Sequence, residues 1–406
     1  METEETPLVK EQATRHGNSN MLPLVLISSL YCCSGAYTTA TVFTGSFIAL
    51  EPGFSENWVH MGQTMLWIGV AAATATLLPL LDIYGRRDLL FAFGFVGLLA
   101  VVTSLLAVSP FVYLACQFGI GLFLFPTGLA AWVLVAESIP QRSHNRMMAI
   151  WNVCYSLFGI TVASGSYGFK EISLSWQLQS AVWYLPIVLS LLIGPSVVSE
   201  SPDTSLNETC LQELLADRSG QAERSDQSLM VWPMPGYVLA TVVCWSAVSM
   251  GFYALSYSSS SLSPDLYLNM GLLACMDAVV YAFSKPVIDA LSPKWAQFAG
   301  LSGCAALMLV SSFLPGKSYA MMFMCLLARM FLDVAFSTIF LLIIEVFPVP
   351  VRATAMGIAN LVARSFTAVA PVLAMAPAWI ACWVVVMATA AAALATWTLP
   401  EQVEKT

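Results

Sequence analysis

Across 406 residues, hydrophobic types supply 58% and charged types only 10%, far below the roughly 25% charge of a soluble domain. Mean hydropathy is +0.76; a water-soluble fold of this length cannot hide so much apolar surface, so lipid is the expected solvent for most of the chain. The net charge of −8 marks no acidic binding surface, because much of the excess acid lies in the polar stretches 1–20 and 200–226, and no basic patch points to nucleic acid.

A helix crosses a bilayer core with about 20 mostly apolar residues. Residues 1–20 are polar and acidic, with no basic segment ahead of a short apolar core. A cleaved leader is therefore not expected, and the first apolar run should remain as a span. Twelve runs follow in order, at 22–50, 58–81, 89–108, 111–136, 147–168, 176–198, 236–256, 267–288, 296–315, 319–343, 354–375 and 377–398. The longest polar stretch, "ESPDTSLNETCLQELLADRSGQAERSDQ", falls between the sixth and seventh and divides them six and six. The expectation is an all-α membrane protein of twelve transmembrane helices in two pseudo-symmetric six-helix bundles. Its parts would be a tail at 1–21, a bundle at 22–198, a linker at 199–235, a second bundle at 236–398 and a tail at 399–406.

Lys and Arg collect in cytoplasmic loops. With the N-terminus inside, twelve of the loop and tail bases fall on the inner side and only Lys170 and Lys317 on the outer. Both termini are expected in the cytoplasm, and the sequon Asn207-Glu208-Thr209 should then carry no sugar. Loop motifs recur between the halves. Asp82 follows the second span and Asp289 the eighth, 207 positions on; Glu137 to Arg142 ends the fourth and Glu345 to Arg352 the tenth, 208 on. Such offsets indicate duplication, the arrangement of transporters with parallel repeats. In "DIYGRR" a carboxylate, a turn-forming glycine and two arginines suit an inner latch that breaks when a gate opens; they equally suit a plain topology anchor.

The ten cysteines show no CxxC or Cys/His spacing and read as small packing residues, with no metal or other cofactor expected. No Walker loop, HExxH or Gly-x-Ser-x-Gly elbow is present, so an enzyme is not expected.

Charge near the centre of a bilayer costs on the order of 3 kcal/mol per residue, so each ionisable group there is a functional candidate. Four qualify: Asp277 in span eight, Arg329 and Asp333 in span ten, and Arg364 in span eleven. Arg364 lies 12 residues past Arg352, about 18 Å along a helix and near the middle of a roughly 30 Å core. Its fixed charge and planar fork suit a carboxylate or sulfate; the alternative is a packing role against an internal carboxylate. Arg329 and Asp333 share a helix face and can neutralise each other; the alternative is that Arg329 adds to the anion field. Asp277 could pair with Arg364 in an empty site, or receive the ammonium of a zwitterion. A carboxylate at this depth can also carry a proton, but the first half has no counterpart, which argues against proton coupling. Tyr253, Tyr257, Trp151, Tyr155 and Tyr281 could line a cavity for amphipathic ions. Trp58 and Trp176 fit the interfacial belt.

Leu80, Asp82, Gly85, Arg86 and Arg87 resemble the Gly-x-Leu-x-Asp-Arg-x-Gly-Arg-Arg loop of the major facilitator superfamily, with Leu78 for the first glycine and Ile83 for an arginine. The second copy, "DALSPKW", lacks the GRR. More specific matches resemble the organic-ion transporters of solute carrier family 22. They are Tyr253, Leu255, Ser256, Asp265, Tyr267, Leu268 and Asn269 around spans seven and eight, and Glu345, Pro348, Arg352, Gly357, Ala363, Arg364 and Pro371 around spans ten and eleven. "SESP", with Glu200, is similar to that family's Pro-Glu-Ser-Pro-Arg loop. The family's long first outer loop is absent here, where only "EPGFSEN" joins the first two spans, and Gln117 stands where an arginine is common. The resemblance implies alternating-access transport of small organic ions at the plasma membrane, as a facilitator or exchanger. The basic Arg364 implies organic anions or zwitterions. Together, the reading of the spans and the resemblance give the expected substrate-binding set Arg364, Asp277, Arg329, Tyr253, Tyr257, Tyr281, Trp151, Tyr155 and Gln117. The gating set is Asp82, Gly85, Arg86, Arg87, Glu137, Arg142, Glu200, Asp289, Glu345 and Arg352. A non-transporting receptor or scaffold, and a carrier of organic cations or neutral solutes, remain as alternatives. The partners expected are the solute and the bilayer.

Overall fold

A bilayer core offers backbone amides no water, so a chain this apolar must satisfy them within helices. The computed structural model describes residues 21–84, 86–138, 144–198 and 233–400. Among them run α1 (Met21–Ile48), α2 (Glu56–Thr76), α3 (Leu78–Tyr84), α4 (Arg86–Leu105), α5 (Pro110–Ser138), α6 (His144–Glu171) and α7 (Trp176–Val197). The second half holds α8 (Met234–Tyr257), α9 (Ser259–Leu262), α10 (Leu266–Leu291), α11 (Pro293–Ser311), α12 (Tyr319–Val346), α13 (Val349–Thr367), α14 (Ala370–Ala374) and α15 (Ala378–Trp397). Twelve of these described helices are long, and each coincides with one of the twelve apolar runs. Eight are long and apolar enough, by length and composition, to cross a membrane. The fold is two six-helix bundles. Large apolar side chains such as Leu99, Leu192, Phe283 and Leu394 point outward and are exposed, as expected where lipid is the solvent.

The second and eleventh runs are each broken. The second ends as α2 and resumes as α3. The eleventh resumes as α14, with Pro371 in its first turn, where the missing N–H costs nothing. Elsewhere caps set the ends. Asp265 accepts from the Leu268 amide at 3.0 Å to start α10, and Ser318 accepts from the Met321 amide at 3.2 Å to start α12.

Loops 49–55, 106–109, 172–175, 258–265, 312–318 and 375–377 lie on one face, called here the upper face; the helix ends at 84, 138, 144 and 292 lie on the lower. On the lower face Ser292 joins α10 to α11 with φ 64° and ψ 155°, a backbone region open essentially to glycine alone. Ser292 lies 207 positions after Gly85, so the second repeat has a serine where the first has glycine.

Small residues let helices approach within and between bundles. A Cβ on Gly69 would meet the Phe118 carbonyl, and one on Gly121 the Leu66 carbonyl, so α2 and α5 touch backbone to backbone. Across the seam between bundles, α6 packs on α10, where a Cβ on Gly159 would lie 3.2 Å from that of Ala274. Near the upper face this seam is sealed by rings. Tyr267 of α10 stacks on Phe43 of α1 at 5.2 Å and meets Tyr167 of α6 edge-on at 5.7 Å. The Lys170 ammonium lies 5.2 Å from the centroid of the same ring. Trp67 of α2 donates to the Tyr257 hydroxyl of α8 at 3.0 Å, and Tyr257 donates onward to Gln63 at 3.1 Å.

Trp176, read from the sequence as an interfacial anchor, is instead buried, donating to Glu51 at 2.9 Å. The loop of α1–α2 folds over it and supplies an acceptor that lipid could not.

Candidate functional site

Below the ring seal lies a cavity between the bundles. Tyr155, Ser156 and Gly159 line it from α6; Phe252, Tyr253, Ser256 and Tyr257 line it from α8. Met270, Leu273, Ala274 and Asp277 of α10 and Arg329 of α12 close the far side. Its volume of about 40 Å³ holds about three waters, at 10–15 Å³ each. Five of the nine residues expected to bind solute therefore face one space: Asp277, Arg329, Tyr253, Tyr257 and Tyr155.

Arg329 is the centre of this wall. Its Nε donates to Asp277 Oδ1 at 3.1 Å and its Nη2 to Asp277 Oδ2 at 2.9 Å, a two-pronged grip. Its Nη1 donates to the Phe252 carbonyl at 2.6 Å and to Ser256 Oγ at 3.0 Å. The guanidinium carbon also lies 3.1 Å from the centroid of the Phe252 ring, a cation–π contact. The expected Arg329–Asp333 pairing is present as a 3.3 Å contact from Nε to Oδ1, but the fork goes to Asp277. Of the two roles open to Asp277, pairing with Arg364 is not what the structure shows: Asp277 faces Arg329, because α10 packs on α12 while α13 packs on α2 and α8.

Arg364, half-buried on α13, lies at the seam between bundles. Its guanidinium carbon is 5.7 Å from the centroid of the Trp67 ring and 5.0 Å from that of Phe125. Tyr253 lies close by on α8. Among the described residues no carboxylate lies within ion-pair distance of it, and its buried Nε has no hydrogen-bond partner. The aromatic faces of Trp67 and Phe125 carry partial negative charge and soften the cost of this cation.

Three of the expected binding residues sit elsewhere. Gln117 is buried on α5 against α2, where Gly62 makes room for it and Tyr113. Trp151 is buried inside the first bundle and donates to Ser28 at 3.0 Å. Tyr281 is buried one turn below Asp277, beside Asp333 and Tyr155, without lining the cavity. A helix turns about 100° per residue, so residues chosen by type alone scatter around the barrel of each helix. Phe252 and Ser256 were missed as site residues; their i, i+4 spacing on the face of Arg329's partners is a signal only once that partner is known. Trp67 and Phe125, hundreds of positions from Arg364, carried no signal at all.

Of the gating set, Arg87 grips helix ends. Its Nε donates to the Val198 carbonyl at 2.6 Å and its Nη2 to the Pro195 carbonyl at 2.7 Å, capping α7, and its Nη1 reaches Asp88 at 2.7 Å. Arg352 does the same for α12, donating to the carbonyls of Ile344 at 2.8 Å and Phe347 at 3.2 Å. Arg86 begins α4 and Glu345 is exposed near the end of α12. Gly85, Arg142 and Glu200, and the side chains of Asp82, Glu137 and Asp289, fall outside the described residues, as does the Asn207 sequon.

Residues 25–371 match the profile of the Major Facilitator Superfamily. The chain belongs to that superfamily. Its curated relatives are similar at modest identity. Solute carrier family 22 member 16 of Homo sapiens is 24% identical over 358 residues, covering 78% of this chain and 60% of the relative. The organic cation transporter-like protein of Drosophila melanogaster is 22% identical over 352 residues, covering 77% and 61%. Solute carrier family 22 member 6 of Bos taurus is 25% identical over 345 residues, covering 78% and 62%. The chain thus spans about 60% of the length of the curated relatives it matches. In fold it is similar to the inward-open xylose transporter XylE from E. coli, with a TM-score of 0.73, 16% identity, and 95% and 98% of the two chains covered. A D-xylose-proton symporter superposes with a TM-score of 0.72 at 15% identity, covering 96% and 100%. As a major facilitator, the chain is an integral multi-pass membrane protein.

Proposed function

We propose that this chain carries small organic ions bearing a negative group, anions or zwitterions, across a membrane by alternating access. The observation that carries the reading is Arg364: a permanent cation at membrane depth, on the bundle seam, stacked between aromatic faces and without an acid among the described residues. A charge so placed is costly and is retained where a ligand supplies the countercharge. The other candidate cation, Arg329, is neutralised by Asp277. That pairing also counts against organic cations, since the carboxylate facing the cavity is already occupied.

In this reading the two bundles, 22–198 and 236–398, rock about the seam, joined by the linker 199–235. Both termini face the cytosol at the plasma membrane. The ring seal around Tyr267 is the closed outer gate, and Arg87 and Arg352 hold the helix ends of the inner one. The similarity to members of solute carrier family 22 supports the coarser part of this reading, carriage of small organic solutes.

Radiotracer uptake in cells expressing the chain tests it, with a panel of carboxylates, sulfates, L-carnitine and quaternary amines. Saturable uptake of an anion or zwitterion, cut at least tenfold by Arg364→Ala or Arg364→Asp, is the expected result. Uptake confined to cations and indifferent to both changes refutes it. Surface expression with no uptake favours the receptor reading.

A further inference from the structure

The Nε of Arg364 is not the only side-chain atom of α13 left wanting. Asn360 Oδ1 is also buried, and it too has no hydrogen-bond partner among the described residues. Asn360 and Arg364 are four positions apart, so they share a helix face, one turn or about 6 Å apart along the axis. The packing of α13 fixes which face this is. Ala355, Ala359 and Ala363 form a stripe that packs in one core with Ala247 and Val248 of α8. Asn360 and Arg364 flank that stripe, on the side where Arg364 meets Trp67 of α2.

The neighbouring helix α8 adds a third such atom. Ser249 is wholly buried, and its hydroxyl oxygen has no partner among the described residues. Both α8 and α13 run from the lower face to the upper. Tyr253 and Arg364 lie against the same ring, with centroids of Tyr253 and Trp67 4.3 Å apart and the Arg364 guanidinium 5.7 Å from Trp67. Ser249 is one turn below Tyr253, as Asn360 is one turn below Arg364. The hydroxyl and the amide oxygen therefore come at one depth, just beneath the cation. Buried polar atoms are nearly always paired, because leaving one unpaired costs more than a hydrogen bond is worth. Three in one stretch of seam ask for a ligand that completes them.

We propose that Asn360 and Ser249 form a hydroxyl-reading subsite beside Arg364, so that the solute is an organic anion carrying a hydroxyl group about one helical turn from its negative group. The proposal rests on the reading of Arg364 as the solute's anchor and narrows the solute within it. A hydroxyl both donates and accepts. It gives its proton to Asn360 Oδ1 and takes one from Ser249 Oγ, while the negative group meets Arg364. An ammonium in the same place has no lone pair for the Ser249 proton and sits one turn from a permanent cation. The acid that would suit an ammonium, Asp277, is already gripped by the Arg329 fork. A methyl or methylene group there would leave both oxygens unpaired.

Titration calorimetry of the purified full chain in detergent tests the subsite, beside radiotracer uptake into proteoliposomes. The probes are 4-hydroxybutyrate, its methyl ether 4-methoxybutyrate, butyrate and 4-aminobutyrate. The ether keeps the oxygen but has no proton to give; butyrate lacks both and adds no bulk. In wild type, 4-hydroxybutyrate should bind about tenfold more tightly than the other three. Ser249→Ala and Asn360→Leu should each bring the ratio of 4-hydroxybutyrate to butyrate close to one. A wild-type chain that binds butyrate as well as its hydroxy acid overturns the subsite, and this arm needs no variant to fold. So does a preference for 4-aminobutyrate, binding of none of the four, or a ratio that survives both substitutions. The expected ratio in binding without any uptake leaves the subsite standing and sinks the transport reading. Anion uptake that ignores the hydroxyl does the reverse.

Discussion

Arg329→Met is the sharpest probe of the second bundle. The substitution keeps most of the side-chain volume but removes a fork that reaches Asp277 at 2.9 and 3.1 Å, two further hydrogen bonds, and the stack on Phe252. Deleting one partner of a buried ion pair costs about 3–5 kcal/mol, because the remaining charge is left uncompensated. With an unfolding entropy near 2.1 cal/mol/K per residue, a chain of 406 residues should then melt about 4–6 °C lower. The assay is thermal unfolding of the purified chain in detergent, followed by size-exclusion. The triple change Asp277→Asn, Arg329→Met, Asp333→Asn should recover most of the loss, since a wholly neutral cluster pays no desolvation penalty. A single variant that melts with wild type, or a triple variant no better than the single, refutes the view that charge imbalance sets the cost.

Ser292→Gly should stabilise the chain by about 1–2 kcal/mol, because serine is held in a region that strains any residue with a Cβ; an unchanged melting temperature would contradict this. Gly121→Leu should abolish a monodisperse size-exclusion peak, since its side chain has only the Leu66 carbonyl to enter. Arg87→Ala uncaps two carbonyls of α7; at 28% exposure the loss should fall near the low end, about 1 kcal/mol, with lysine rescuing only in part. Trp67→Phe should lose about 1 kcal/mol with the Tyr257 hydrogen bond, and Trp67→Ala about 3–5 kcal/mol as the buried ring leaves a void. Thermal shifts separate the two.

The bundle architecture was legible because lipid imposes one rule on every span: about 20 apolar residues, ended by polar ones. The breaks between α2 and α3 and between α13 and α14 were not, since both halves of each run are equally apolar. Asp277, Arg329, Asp333 and Arg364 stood out as candidates, because charge in an apolar run is costly. Pairing was not legible. Asp277 and Arg329 are 52 positions apart, and only the packing of α10 on α12 brings them together. Periodicity names the face a residue takes on its own helix, not the helix that will meet it. For that reason Gln117 and Trp151, sound as residue types, belong to the interior of the first bundle.

The clasp on Arg329 reaches three helices at once: ring and carbonyl from α8, carboxyl from α10, and its own backbone on α12. A guanidinium so fastened works as a rivet. Whatever rocking the protein performs, these three helices travel as one plate, and sliding is left to the smooth glycine and alanine faces where α6 meets α10. Loosening the rivet would blur the motion long before it unmade the barrel.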